Sequence, residues 1–229
     1  MKKLALRTAF RDTLPVMTGY LFLGIGFGVL MHQTGYGVLW SLSMAVFIYA
    51  GSAQYLTVSL LASGASLVSA AVSVFLLNAR HLFYGLSMLG SYKDTGAKKP
   101  YLIFSLTDET YSLVAQKEPP EGVSRQAYYL WVSLLDHGYW VAGCTLGGLL
   151  GAALPFELKG IEFVLTALFV TIFTEQWLSA KAHGPALIGV GSTALCLLIF
   201  GSQLFLIPSL ILISLLLTLR EKFRKEADQ

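Results

Sequence analysis

The chain has 229 residues, 55% of them hydrophobic and 13% charged, with a mean hydropathy of +0.65 and a formal net charge of +3. A water-soluble domain carries about 25% charged residues, so the composition excludes one and points to an all-α polytopic membrane protein. The basic residues lie at the ends and in short loops, which offers no basic face to nucleic acid and follows the bias of lysine and arginine toward the cytoplasmic side.

Residues 1–13 carry Lys2, Lys3, Arg7 and Arg11, with Leu6 and Phe10 four apart, and read as an amphipathic interfacial segment. Arg7, Arg11 and Asp12 interrupt any apolar core, so no signal peptide is expected. Leu14 to Met31 reads as a first span, in which Gly24 and Gly28 form a GxxxG that permits close helix approach. Val38 to Ala62 is long enough to cross, yet small and polar residues gather at its centre, Tyr49-Ala50-Gly51-Ser52-Ala53-Gln54.

The run from Ala65 to Gly90 holds a polar knot, Asn78-Ala79-Arg80-His81. An arginine in the middle of a span costs roughly 2.5–3.5 kcal/mol. A carboxylate, backbone carbonyls or a water-filled cavity must offset that, unless the side chain snorkels to an interface. Lys93, Lys98 and Lys99 follow. Three simple crossings would put this loop outside, against the charge bias. One run is therefore expected to enter and leave on the same side, with breaks at Gly51-Ser52 or Asn78-Arg80. Broken helices of this kind form transporter binding sites.

Tyr101 to Gln116 is too short to cross and reads as a re-entrant or surface segment. Lys117 to Gln126, with Pro119-Pro120, is a solvated loop. Spans are expected at Tyr128 to Leu154, Ile161 to Leu178, Ala186 to Phe200 and Leu204 to Leu219, with residues 220–229 as a cytoplasmic tail. The sum is about six full transmembrane helices plus two partial or broken ones, in a single membrane transport domain over residues 1–229. Phe47 to Gln54 and Phe169 to Gln176 are faintly alike, as an internal repeat or by chance.

Gly51, Ser52 and Gln54 supply exposed backbone, a hydroxyl and an amide, which suit the ends of a zwitterion or make a small-residue packing seam. Asp108, Glu109, Asp136 and Glu175 lie in or at the ends of apolar runs, where each can neutralise Arg80, carry a proton, or sit solvated at a helix end. Removal from water favours the neutral form of a carboxyl, a property that a proton-coupled carrier uses. Trp140 follows Asp136 by four residues on one helix face. Tyr128, Tyr129, Trp131, Tyr139, Trp140 and Trp177 read mainly as interfacial anchors. Cys144 and Cys196 read as small buried hydrophobes, and His32, His81, His137 and His183 have no metal-ligand spacing, so neither metal nor cofactor is expected. There is no GxxxxGK loop. Ser52, His81 and Asp108 supply the residue types of a hydrolytic triad, which only geometry can establish.

Several stretches together resemble the AzlC-like family, the large subunit of branched-chain amino-acid exporters. They are Phe10-Arg11-Asp12 leading to Pro15, Tyr49-Ala50-Gly51-Ser52-Ala53-Gln54, Asn78-Ala79-Arg80-His81-Leu82-Phe83-Tyr84-Gly85, Thr107-Asp108-Glu109, and Gly160-Ile161-Glu162-Phe163 leading to Ala167-Leu168-Phe169. The resemblance covers nearly the whole chain. It implies secondary-active export of leucine, isoleucine, valine and similar apolar amino acids such as methionine across the bacterial inner membrane. It also implies proton coupling and a small hydrophobic AzlD-like membrane subunit. Gly51, Ser52, Gln54, Asn78 and Arg80 would then bind substrate, with Arg80 attracting its carboxylate or pairing with Asp108. His137 departs from the glutamine expected after Asp136. The runner-up is a channel-like pore for small solutes with its filter at Gly51-Ser52.

Lysine and arginine placement puts the N-terminus, Ser91 to Pro100, Lys117 to Gln126 and the C-terminus in the cytoplasm. A Lys98→Cys variant in intact cells should resist a membrane-impermeant thiol reagent applied outside. Labelling there would overturn this topology.

Overall fold

The fold is that of a computed structural model, which describes residues 2–116, 119–153, 163–180 and 182–227. Among these the regular structure is helical, without a strand. Two compact units form, residues 1–165 and 166–229.

The first unit is built on two long helices, α1 (Lys2–Gln33) and α8 (Arg125–Ala153). Between them come α2 (Val38–Phe47), α3 (Gly51–Ala62), α4 (Leu67–Asn78), α5 (Arg80–Met88), α6 (Lys99–Phe104) and α7 (Asp108–Gln116). Residues 1–13 are not a separate helix, because α1 runs on through Pro15. Ala5, Ala9, Thr13, Phe27 and Met31 are buried at helical spacing along α1, so its basic end is held by protein rather than only by an interface. Tyr128 Oη donates to Asp12 Oδ2 at 2.8 Å, fixing that end on α8.

α1 and α8 run in the same direction along a glycine seam. A Cβ on Gly24 would lie 2.9 Å from Cys144 N, one on Gly143 2.9 Å from Tyr20 O, and one on Gly151 2.8 Å from His32 Cβ. Cβ atoms on Gly28 and Gly147 would collide with the carbonyl oxygens of Cys144 and Ile25. The GxxxG of the first span and the glycines of Tyr128 to Leu154 therefore face each other within one chain. They are filled within the chain and are not free faces awaiting a partner subunit.

Both expected break points are breaks. α2 stops at Phe47 and α3 starts at Gly51; α4 stops at Asn78 and α5 starts at Arg80, bent by 44°. Tyr101 to Gln116 is likewise two short helices parted at residues 105–107. Gln126 Nε2 donates to Asp94 O at 2.6 Å, so residues 12, 94 and 126–128 gather at one end of the unit. Tyr92, Leu102, Leu106, Tyr128, Tyr129 and Val132 form its core there. Tyr128, Tyr129 and Trp140 are thus buried in protein, not interfacial anchors.

In the second unit α10 (Gly184–Leu204) packs on α11 (Leu206–Ala227), the turn arising at Gly201, whose φ of 72° suits glycine. α11 carries on to Ala227, so residues 220–227 of the expected tail are helical. α9 (Phe163–Ser179) passes through Phe169 to Gln176 unbroken, unlike Phe47 to Gln54, so the faint repeat does not extend to a second break.

Large apolar side chains point outward, as at Leu67 (89% exposed) and Leu198 (85%), whereas Gln54, Thr110, Ser133 and Asp136 are fully buried. This inverts the soluble pattern and suits lipid as solvent. Lys3–Gln33 and Gly184–Gly201 are long and apolar enough to span, and the bent pair α4–α5 makes a third if it is one crossing. α8 has 29 residues but carries Asp136 and His137 at its middle.

The seam separates two otherwise identical substitutions on α8. Gly147→Ala should destabilise by about 1–3 kcal/mol through overpacking. Gly138→Ala, with open space around its Cβ, should stabilise by about 0.5–1 kcal/mol through helix propensity. Thermal unfolding of the detergent-purified proteins checks both signs.

Candidate functional site

Each of the three interrupted pairs places a helix N-terminus in the first unit. Ser52 lies in the first turn of α3, Arg80 opens α5 and Asp108 opens α7. Arg80 joins them: its Nη2 donates to Ser52 Oγ at 3.1 Å and lies 3.0 Å from Asp108 Oδ2. The positive end of a helix favours a carboxylate and disfavours a cation. Asp108 is therefore well placed by α7, and Arg80 is poorly placed by α5, so Arg80 depends on its two partners. Three buried polar atoms of Arg80, Asp108 and nearby Asn78 have no hydrogen-bond partner among the described residues: Arg80 Nε, Asp108 Oδ1 and Asn78 Oδ1.

The break before α3 is built differently. Tyr49 has φ 46°, left-handed backbone that costs a non-glycine residue roughly 1–2 kcal/mol. In a continuing helix its N–H would reach Ala45 O; instead it donates to Met44 O at 3.2 Å. His137 Nε2 donates to Ala45 O at 3.2 Å in its place. A carbonyl only accepts, so Nε2 carries the hydrogen, and Nδ1 accepts from Tyr101 Oη at 3.1 Å. The His137 ring stacks on Tyr49 at 4.2 Å and holds the strained residue. Charge and spacing gave His137 no role, because its work is to complete a backbone break on another helix.

Gln54, one turn into α3, turns away from Arg80. Its Oε1 accepts from Trp140 Nε1 at 2.8 Å, and its Nε2 has no partner among the described residues. The Trp140 indole also lies over Gly51, where a Cβ would be 3.1 Å from it. Ser52 and Gln54 therefore belong to two clusters: Ser52 sits with Arg80 and Asp108, and Gln54 with Trp140. Asn78 closes α4, its carbonyl accepting from His81 Nδ1 at 3.1 Å. Ser52 and Asp108 both go to Arg80, and His81 is hydrogen-bonded to neither, so no hydrolytic triad is assembled.

Glu109 and Asp136 belong to a second cluster. Tyr20 Oη is 2.7 Å from both Glu109 Oε2 and Thr107 Oγ1, and Thr110 Oγ1 donates to Asp136 Oδ2 at 2.8 Å. Tyr20 and Thr110 were not singled out in the sequence, and Thr107 only as part of the stretch Thr107-Asp108-Glu109, although a lone tyrosine among the glycines of α1 was a signal. Glu175 lies in α9, and its side chain falls outside the described residues.

A model of the AzlC family, described as AzlC protein, matches residues 15–154, a stretch that includes both clusters. The chain belongs to the AzlC family. It is 40% identical over 224 residues to the Bacillus subtilis protein named branched-chain amino acid transport protein AzlC, covering 98% of this chain and 88% of that one. It is 43% identical over 217 residues to an uncharacterized membrane protein of Haemophilus influenzae, covering 94% and 89% of the two chains. The inner membrane protein YgaZ of Escherichia coli is 27% identical over 209 residues, covering 88% and 83%. No solved structure matches. In this AzlC-family chain the family-like stretches Tyr49 to Gln54, Asn78 to Gly85 and Thr107 to Glu109 converge on the Arg80 junction.

Trp140→Phe keeps the ring but leaves Gln54 Oε1 buried and unpaired, which should cost about 1–3 kcal/mol. Adding Gln54→Leu should recover part of that loss. Melting temperatures of the single and double variants test the pair; an unchanged single variant would refute it.

Proposed function

We propose that the chain is the large subunit of a secondary-active exporter of branched-chain amino acids in the bacterial inner membrane. The observation that carries this reading is the Arg80 junction with its unpartnered atoms. Arg80 Nε is a donor, and Asp108 Oδ1 and Asn78 Oδ1 are acceptors. A zwitterion needs both: donors for its carboxylate, which helix N-termini also favour, and acceptors for its ammonium. Kinship with a relative named for branched-chain amino acid transport supports the substrate class.

In this mechanism the substrate's carboxylate takes Arg80, whose planar fork suits it. Ser52 and the backbone at Gly51 hold the same end, and Gln54 and Asn78 complete the polar contacts. Ala50 and Ala53 leave room for a branched side chain. Asp108, Glu109, Asp136 and Glu175 are the candidates for charge or proton coupling. The proposal includes a single transport domain over residues 1–229 with about six crossings and two partial elements. It also includes a small AzlD-like partner, which rests on the family resemblance since the glycine seams are filled within the chain.

The test is uptake of labelled leucine into inverted vesicles, with and without the small subunit. Saturation and trans-stimulation mark a carrier; linear flux without trans-stimulation marks a channel-like pore. Arg80→Lys keeps the charge but loses the fork, and should reduce leucine transport about tenfold, a loss near 1.4 kcal/mol. Arg80→Ala should abolish it, and Asp108→Asn should impair it. Arg80→Ala combined with Asp108→Asn should be better folded than either single variant. Normal efflux by Arg80→Lys at matched expression would sink the carboxylate clamp, because lysine snorkels equally well.

A further inference from the structure

Glu109 on α7 and Asp136 on α8 are joined by three hydroxyls. Glu109 Oε2 is 2.7 Å from Tyr20 Oη, Tyr20 Oη 2.7 Å from Thr107 Oγ1, Thr107 Oγ1 3.1 Å from Thr110 Oγ1, and Thr110 Oγ1 2.8 Å from Asp136 Oδ2. Tyr20, Thr107, Thr110 and Asp136 are all buried. A hydroxyl brings one proton and donates once. With both carboxyls ionised, three hydroxyl protons serve four contacts, so one oxygen pair would face at hydrogen-bond distance with no hydrogen between. The Thr110 amide also donates to Thr107 Oγ1, at 3.3 Å, but with its own hydrogen, so the deficit stands.

One added proton on either carboxyl completes the chain. If Glu109 holds it, every donation runs from Glu109 through Tyr20, Thr107 and Thr110 to Asp136. If Asp136 holds it, every donation runs the other way. We propose that Glu109 and Asp136 are a single proton site, holding one proton between them through Tyr20, Thr107 and Thr110, and that this is the proton exchanged in transport. The second half of the statement rests on the carrier reading above.

Transfer breaks the Glu109 Oε2–H bond and forms an Asp136 Oδ2–H bond. Each hydroxyl passes on its own proton and receives the next, so no charge is created. The ionisable groups facing the pair are Asp108 with its partner Arg80, His137, and the phenols of Tyr49, Tyr84, Tyr101 and Tyr128. Of these, Asp108 and Arg80 adjoin the Glu109 end. A substrate carboxylate that takes Arg80 leaves the Asp108 charge uncompensated beside Glu109, and draws the shared proton to Glu109. Substrate binding at one cluster thereby sets the proton's position in the other.

Infrared difference spectroscopy of the purified protein at neutral pH tests the shared site without any transport. One carboxylic-acid carbonyl band is expected per chain. Glu109→Gln should remove it entirely, and so should Asp136→Asn, because either amide supplies the missing donor. Two bands lost separately, no band, or a band that survives either substitution would overturn the proposal. If a variant does not purify, isotope labelling of the wild type decides: labelled glutamate and labelled aspartate should each shift part of the same band. If the band behaves as expected while both variants keep the wild-type dependence of leucine efflux on a pH gradient, the coupling role is overturned. If the wild type carries no leucine, the carrier reading fails and the band result is untouched.

Discussion

Backbone and charge at membrane depth must be satisfied by protein, and Arg80 is where this constraint is met. Its guanidinium begins a helix, where the dipole disfavours it, inside an apolar run, where lipid excludes it. Bonds to Ser52 and Asp108 answer both costs. They also tie together three helices that start at this junction, α3, α5 and α7. An uninterrupted helix would present only closed backbone there. The interruptions bring donors and acceptors to one place, and the arginine makes their proximity favourable.

The junction needs a rigid wall, and the glycine seam provides one. α1 and α8 approach until backbone lies on backbone, as Gly24 on Cys144 and Gly143 on Tyr20 show. At that separation neither helix can slide without a carbonyl meeting a Cα. The seam sets the heights of Tyr20 on one helix and of Asp136, His137 and Trp140 on the other. From there Trp140 reaches Gln54, and His137 completes the end of α2. The scaffold is apolar and tight, whereas the elements that meet it are short and separately anchored.

What the sequence made legible follows from cost. Polar residues in apolar runs marked Gly51 and Arg80 as candidate breaks, and the charge of Arg80 called for an offset, of which a carboxylate was one form; Asp108 supplies it. What it hid follows from geometry across a break. The left-handed Tyr49 resets the direction of α3, so Ser52 and Gln54, two apart, serve different clusters. Glycine spacing announced a close approach without saying to whom. Tyr128 and Tyr129 had the composition of an interfacial belt, yet the parallel packing of α1 on α8 encloses them. Two threonines and a tyrosine carry no charge, so their joining of Glu109 to Asp136 leaves no trace in spacing.

The depth of each carboxylate also divides the work. Asp136 is wholly buried, and a charge pair there would be costly to open, since removing one partner of a buried pair costs about 3–5 kcal/mol. Arg80 and Asp108 keep side-chain exposures of 31% and 30%. Each side chain therefore keeps a face open, unlike that of Asp136. On the carrier reading proposed above, a ligand's carboxylate displaces Asp108 while the charge of Arg80 stays in place. On that reading the exchangeable pair faces the ligand, and Thr110 links the buried carboxyl to the other hydroxyls. A site arranged the other way would bind its substrate against a large penalty and leave its proton exposed to solvent.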